Sequence, residues 1–300
     1  MNRSKRCFNK PVKKPSQKIS KKTTKKYVRV GSHLTSIVYR TLPGPLASVM
    51  SSLTLSQKKV LCDLRLGSLI GFNIFELPTK LVYYVVDSFD MDDMVIRTSM
   101  GDIKCDENAV FDAFGIRKGS VGLGELGNDA DSEFIEDWYS QFDDRKNIRN
   151  GKIADVINNK KGATDFTFKI NFLILFWNSM ICSDSSGLVK VDVLKRVSRE
   201  TKLSDIDWCG HMLHELKFSK NKWNREFPER RPYCGPATLL TVSFFVLFIC
   251  YVFSFYFLFV FLIYIFNKFC SYFILTVQNV MVFLLPVNVQ YSKTGLRTSI

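Results

Sequence analysis

The sequence is poor in the residue patterns that metal and redox sites use. Its 300 residues hold only three histidines, and its eight cysteines include no C-x-x-C pair. Zinc-ribbon and thioredoxin-type sites, which such pairs build, are therefore not expected. No apolar stretch follows the basic residues at the N-terminus, so we expect no signal peptide there. Scattered cysteines in such a chain fit a reducing compartment.

Acidic residues are missing from the first thirty positions, which carry twelve lysines and arginines. The net charge of +14 therefore belongs mostly to this tail, and the rest of the chain is nearly neutral. Residues 1–30 have few apolar side chains to offset their ordering entropy, so we expect a disordered tail.

The tail contains paired lysines that are typical of nuclear-import and phosphate-binding segments. Binding to anionic lipid and a solvated tail without a function are the alternatives. The pairs are Lys13 and Lys14, Lys21 and Lys22, and Lys25 and Lys26.

Charge is also missing near the C-terminus, where Lys268 is the single charged residue between positions 232 and 290. The uncharged stretch 239–266 is long enough to span a bilayer, and 269–286 forms a weaker second candidate. Arginines precede the first stretch, so the positive-inside rule places the N-terminal side in the cytosol. This pattern predicts one or two transmembrane helices and a membrane location.

A second interpretation of residues 242–300 is a translated intron. An in-frame plant intron donor encodes Val-Ser, and Val242-Ser243 stands where the folded pattern stops. T-rich intron codons encode the Phe, Leu, Val, Ile, Tyr and Cys that follow. If this segment is an artefact, the expected location is the nucleus. The two interpretations stay open at the level of sequence.

The middle of the chain predicts a mainly α domain with a small β-hairpin over residues 56–241. Residues 31–55 are expected to be a linker, Ser56 to cap the first helix, and 118–162 to be a flexible loop rich in glycine and acids. The hairpin is expected at Val95–Thr98 and Asp102–Cys105. Other expected helices cover 107–114, a core segment 166–180 and 188–197.

The spacing C-x-H-x-x-H is the one pattern with metal-ligand chemistry, formed by Cys209, His211 and His214. Thiolates and imidazoles bind zinc, but a structural site needs a fourth ligand, for which Cys182 and Cys234 are the candidates. The same residues also suit a Cys–His nucleophile pair. The simpler interpretation is a packed cysteine beside histidines that cap the helix or face solvent. We expect no metal, cofactor or catalytic residue.

Several short motifs occur in a fixed order between residues 56 and 241. They are Gly71-Phe72, Leu77-Pro78, Val110 to Gly115, Asn171-Phe172-Leu173, Ile206-Asp207-Trp208-Cys209 and Tyr233-Cys234-Gly235-Pro236. Their order resembles the plant mobile domain, a transposon-derived module labelled aminotransferase-like. It is also similar to the region that precedes SUMO-specific cysteine protease domains in plant mobile-element proteins.

This resemblance implies a plant source, a mainly helical fold and a nuclear, non-catalytic role. In the protease-bearing relatives the catalytic residues lie downstream of this region, so none is transferred here. The leading hypothesis is a non-enzymatic interaction module that binds an unknown protein or nucleic acid through its basic tail, with no small-molecule substrate. The rivals are a membrane-anchored protein with the domain in the cytosol, and a zinc hydrolase or cysteine protease fragment.

Overall fold

The computed structural model describes residues 36–127, 132–226, 231–246, 248–249 and 261–265, and the single positions 253, 256, 259 and 268. The basic tail 1–30 and the candidate span 269–286 lie outside these residues. The helices are α1 (Gly44–Ser52), α2 (Leu55–Asp63), α3 (Thr79–Ser88), α4 (Glu107–Phe114), α5 (Ser132–Ser140), α6 (Asn150–Asn159), α7 (Phe166–Phe176), α8 (Asp192–Arg196), α9 (Trp208–Lys222) and α10 (237–246). The strands are β1 (Phe89–Asp90), β2 (Val95–Thr98) and β3 (Gly101–Lys104).

Helix α7 lies at the centre of the core. Asp165 caps its start by accepting a hydrogen bond of 2.8 Å from the backbone N–H of Phe168. Every residue from Ile170 to Phe176 is buried, and the helix continues into a buried π-helical turn, Trp177–Ile181. A helix that is apolar on all sides must be enclosed by other elements. Helices α1, α6 and α8 pack against α7, and α9 packs against the π-helical turn.

Two buried asparagines, one in α7 and one in the π-helical turn, both donate and accept hydrogen bonds through their side chains. Asn171 accepts a bond of 2.7 Å from the indole N–H of Trp138 and donates to Gln141. Asn178 donates to the carbonyl of Lys190 and accepts from the N–H of Lys190. A buried amide without partners would cost several kcal/mol, so these bonds fix how α5 and the segment before α8 dock on α7.

The three strands form an antiparallel sheet in the order β1-β2-β3. Phe89, Ile96 and Ile103 lie opposite one another in the register and are buried on one face, where α3 packs against β2. The predicted hairpin is confirmed, and the structure adds β1. Helix α4 is also confirmed with both its limits, because Asp106 caps its first turn and Gly115 ends it at a positive φ of 66°.

The first and last segments of the folded module, residues 36–241, lie side by side. Tyr39 forms a parallel bridge with Tyr233, in which the N–H of Arg40 donates to the carbonyl of Tyr233 at 2.9 Å. The hydroxyl of Thr41 donates to the carbonyl of Gly235 at 2.7 Å. The segments around residues 39 and 233 are therefore held together mainly by backbone hydrogen bonds.

The structure corrects the prediction that residues 31–55 form a linker. From residue 36 onward it belongs to the core, because Ile37 and Tyr39 are buried and α1 buries an apolar face against α6 and α7. Pro43 suggested a linker, but it stands just before the first turn of α1, where the missing N–H is tolerated. Ser56 is not the cap of α2. Thr54 caps this helix in a reciprocal capping box with Gln57.

The structure also corrects the prediction that residues 118–162 form a flexible loop. It contains α5 and α6, which bury Phe134, Trp138, Ile153, Ala154 and Ile157. The glycines and acids hid these helices because their apolar positions are few and widely spaced. The helix expected over 188–197 is shorter and forms only as α8.

The described residues after 241 are helical up to position 268. Apolar side chains among them are exposed from Phe245 onward, and they include further phenylalanines at positions 248, 253, 259 and 261. Within the described part of the chain, we find no helix with the length and apolar character needed to cross a membrane.

Replacing Trp138 by phenylalanine tests the buried amide network. Trp138→Phe removes the donor to Asn171 and leaves its carbonyl oxygen unpaired. Trp208→Phe is the matched control, because Trp208 is also buried but its indole N–H has no partner among the described residues. We expect Trp138→Phe to lower the free energy of unfolding by about 1–3 kcal/mol more than Trp208→Phe, measured by urea denaturation. Equal losses would contradict a structural role for this bond.

Candidate functional site

Helix α9 carries all the residues of the C-x-H-x-x-H pattern, and its start is fixed by Asp207. One carboxylate oxygen of Asp207 accepts from the N–H of Gly210 at 2.9 Å and from the N–H of Gly119 at 3.0 Å. A Cβ at Gly119 would lie 2.5 Å from the backbone of Ile206, so this close approach requires glycine. The two distant segments are further joined by the bridge between Val121 and Ile206.

The structure does not bring the three sequence-predicted metal candidates together. Cys209 is fully buried on the core side of α9, whereas His211 is half-buried and His214 is exposed. Among the described residues, no group of three or more His, Cys, Asp or Glu side chains is arranged to hold a metal ion. The same separation of faces also means that Cys209 and His211 do not form a nucleophile pair.

The two histidines instead belong to a row of rings, the aromatic stripe, formed by Trp177, His211, His214 and Phe218. The ring of His211 lies 4.7 Å from Trp177 and 6.4 Å from His214. His214 stacks on Phe218 at 6.1 Å with an interplanar angle of 17°. The ammonium of Lys222 lies 3.8 Å from the centre of the Phe218 ring. Burial lowers the pKa of His211, which favours the uncharged ring there.

Beneath the stripe lies a polar cluster of Cys182, Lys190 and Glu215. The ammonium of Lys190 donates to the sulfur of Cys182 at 2.7 Å. Burial, and after it the nearby charge of Glu215, raise the pKa of Cys182 to about 12. Burial opposes the charge of Lys190, but its bond to Cys182 and the neighbouring acids raise its pKa overall.

The buried thiols of this region are therefore protonated and unreactive at neutral pH. Burial raises the pKa of Cys209 to about 11 and that of Cys105 to about 12. Reactive cysteines need the opposite, a lowered pKa and access to solvent. Chemically, the site offers rings and cations at a surface above buried thiols that are protonated at neutral pH.

Sequence reasoning missed Trp177, Lys190, Phe218 and Lys222. Three stripe residues and Lys222 lie at positions 211, 214, 218 and 222, and this helical spacing is a signal that the sequence contains. The contacts of Trp177 and Lys190 depend on how the π-helical turn packs against α9, and no local pattern encodes them. The basic-tail lysines lie outside the described residues.

The raised thiol pKa values predict a loss of stability at alkaline pH. A thiol with a higher pKa in the folded state loses its proton first in the unfolded chain. The free energy of unfolding should therefore fall as pH rises from 9, the ordinary value, towards 11, the value for Cys209. In Cys209→Ala this slope should be shallower by at most about 1.4 kcal/mol per pH unit, one proton's worth.

Urea denaturation at several pH values measures this slope. Cys62→Ala is the matched control because the side chain of Cys62 is exposed, and it should leave the slope as in the parent chain. A parent chain whose stability is level across this range would refute the buried, neutral state of these thiols.

A family model described as Domain of unknown function (DUF8566) matches residues 39–241. The matched segment starts at the bridge of Tyr39 to Tyr233 and ends inside α10, so it takes in helices α1 to α9, the sheet and the aromatic stripe. Among curated proteins and solved structures, none matches this chain.

Proposed function

Since the chain belongs to the DUF8566 family, we propose that its matched region is a non-enzymatic interaction module that binds single-stranded nucleic acid. The aromatic stripe carries this proposal. Its outer members, His214 and Phe218, are exposed on one face of α9, and Lys222 stands beside the last ring. Bases stack on such rings without sequence preference, while neighbouring cations neutralise phosphates.

The buried thiols argue against catalysis by a cysteine nucleophile, because burial raises their pKa values. The basic tail supports the choice of nucleic acid, since its twelve cations and no acids suit phosphate neutralisation and nuclear import. The motif order described above adds a plant mobile-element origin to the proposal. A free partner protein remains the other outcome of the binding test.

Binding of a labelled single-stranded DNA to the full-length chain tests the stripe. Phe218→Ala should weaken binding by roughly 1–3 kcal/mol, the usual contribution of one stacked base. Phe111→Ala is a closely matched control. Phe111 is 43% exposed and Phe218 is 41% exposed, and Phe111 also lies beside a cation, Arg117. Phe111 has no ring neighbour among the described residues, so its loss should leave binding unchanged. Equal effects of the two variants would refute the stripe as the binding surface.

The second candidate function is a membrane-anchored protein with this module in the cytosol. The exposed apolar side chains of the C-terminal helix favour it, because Phe253 and Phe259 are 69% and 56% exposed to water. Exposed apolar side chains that lie close together mark a binding or membrane surface.

One localisation experiment separates the two candidates. Under the nuclear proposal, a tagged full-length chain is nuclear and becomes cytosolic when its six paired tail lysines are changed to glutamine. Under the membrane proposal, the chain stays in the pellet after alkaline carbonate washing, whatever the tail contains. A carbonate-resistant parent chain that never enters the nucleus would reject the nuclear role.

A further inference from the structure

Two guanidinium groups converge over Gly187, away from the aromatic stripe. If Gly187 carried a Cβ, that atom would lie 3.2 Å from Nη1 of Arg149 and 3.9 Å from Nη1 of Arg40. Gly187 has a φ of 78°, which favours glycine. The missing Cβ thus lets two side chains of the same charge approach this turn closely.

Neither arginine has an acidic partner among the described residues. Arg40 and Arg149 take part in no ion pair there, and Nε of Arg40 is buried without a hydrogen-bond acceptor. The acid of this turn, Asp184, accepts from the N–H and the hydroxyl of Ser186 instead. Two converging cations and an unsatisfied buried donor are unfavourable unless an anion joins them.

Both arginines stand on backbone that other contacts hold in place. The N–H of Arg40 is bonded to Tyr233, within the bridge that closes the module. Arg149 is the residue before α6. The carbonyl of its neighbour Ile148 accepts a hydrogen bond of 3.0 Å from the N–H of Val189, and this bond joins the start of α6 to the segment that follows Gly187. Helix α6 begins without a side-chain cap or an acidic first turn, so its dipole adds to the positive field.

We propose that Arg40 and Arg149 grip one phosphate of a nucleic-acid backbone across Gly187. Arginine matches phosphate oxygens with paired N–H donors, which this convergence supplies from two sides. Arg40 is half-buried and Arg149 is exposed, so a polymer at the surface can reach the pair. This inference rests on the proposed function, because it names the phosphate contact of the same partner.

We call Arg40 and Arg149, bound to one phosphate, the clamp. The salt dependence of DNA binding by the full-length chain tests it. For single-stranded DNA each phosphate contact contributes roughly 0.7 to the slope of log affinity against log salt. Arg40→Gln, Arg149→Gln and the double variant should each lose about this same amount, because both side chains hold one phosphate. The affinity should fall about tenfold in each single variant, as expected for a lost charged hydrogen bond.

Two further variants separate the clamp from a general loss of charge. Arg149→Lys should keep most of the slope and still lose affinity, because lysine keeps the charge without the fork of donors. Arg65→Gln and Arg117→Gln remove the same charge from arginines that contact Asp205 and the Phe111 ring. These two should retain the parent slope.

The outcomes distinguish the clamp from the proposed function. Loss of slope in the Arg40 and Arg149 variants alone supports the clamp. Binding that responds to Phe218→Ala but not to Arg40→Gln overturns the clamp and leaves the stripe intact. A parent chain that binds no DNA overturns both. Orthophosphate that binds through the two arginines without any DNA binding overturns the nucleic-acid ligand.

Discussion

The enclosure of one helix that is apolar on every side governs this structure. Helix α7 and its π-helical turn have no polar face that could stay in contact with water, so α1, α6, α8 and α9 surround them. The two amides within this segment then decide the orientation of their neighbours. Asn171 needs Trp138 on α5, and Asn178 needs the backbone of Lys190. Burial supplies the driving force, and these hydrogen bonds make the arrangement unique.

The candidate surface is a consequence of the same packing. Helix α9 covers the π-helical turn with its apolar side, which leaves His214 and Phe218 on the outer side. The segment held by Asn178 runs from Cys182 to Lys190 and includes Gly187, over which the two guanidinium groups meet. The stripe and the clamp are therefore both positioned by the end of the central helix.

Local signals predicted much of this fold. Asp106 and Gly115 delimit α4, Asp165 starts α7, and the β-branched residues of Val95–Thr98 favour β2, because each of these depends on neighbours in sequence. Prediction failed where burial is decided at a distance. Residues 118–162 are predicted to be a flexible loop, yet Trp138 within them is buried and bonded to Asn171 in the core. The C-x-H-x-x-H spacing suggested a joint site, but residues 209 and 211 lie on different faces of a helix.

The bridge between Tyr39 and Tyr233 has a consequence for synthesis on the ribosome. A module whose first segment pairs with its last cannot finish folding until the last segment has emerged, and domains fold largely as units. At that moment the apolar residues after 241 are still inside the ribosome. Closure of the module thus precedes the emergence of the apolar segment. We expect nascent chains to keep the backbone groups around Tyr39 unpaired until late in translation, although the helices that enclose α7 are already outside the ribosome.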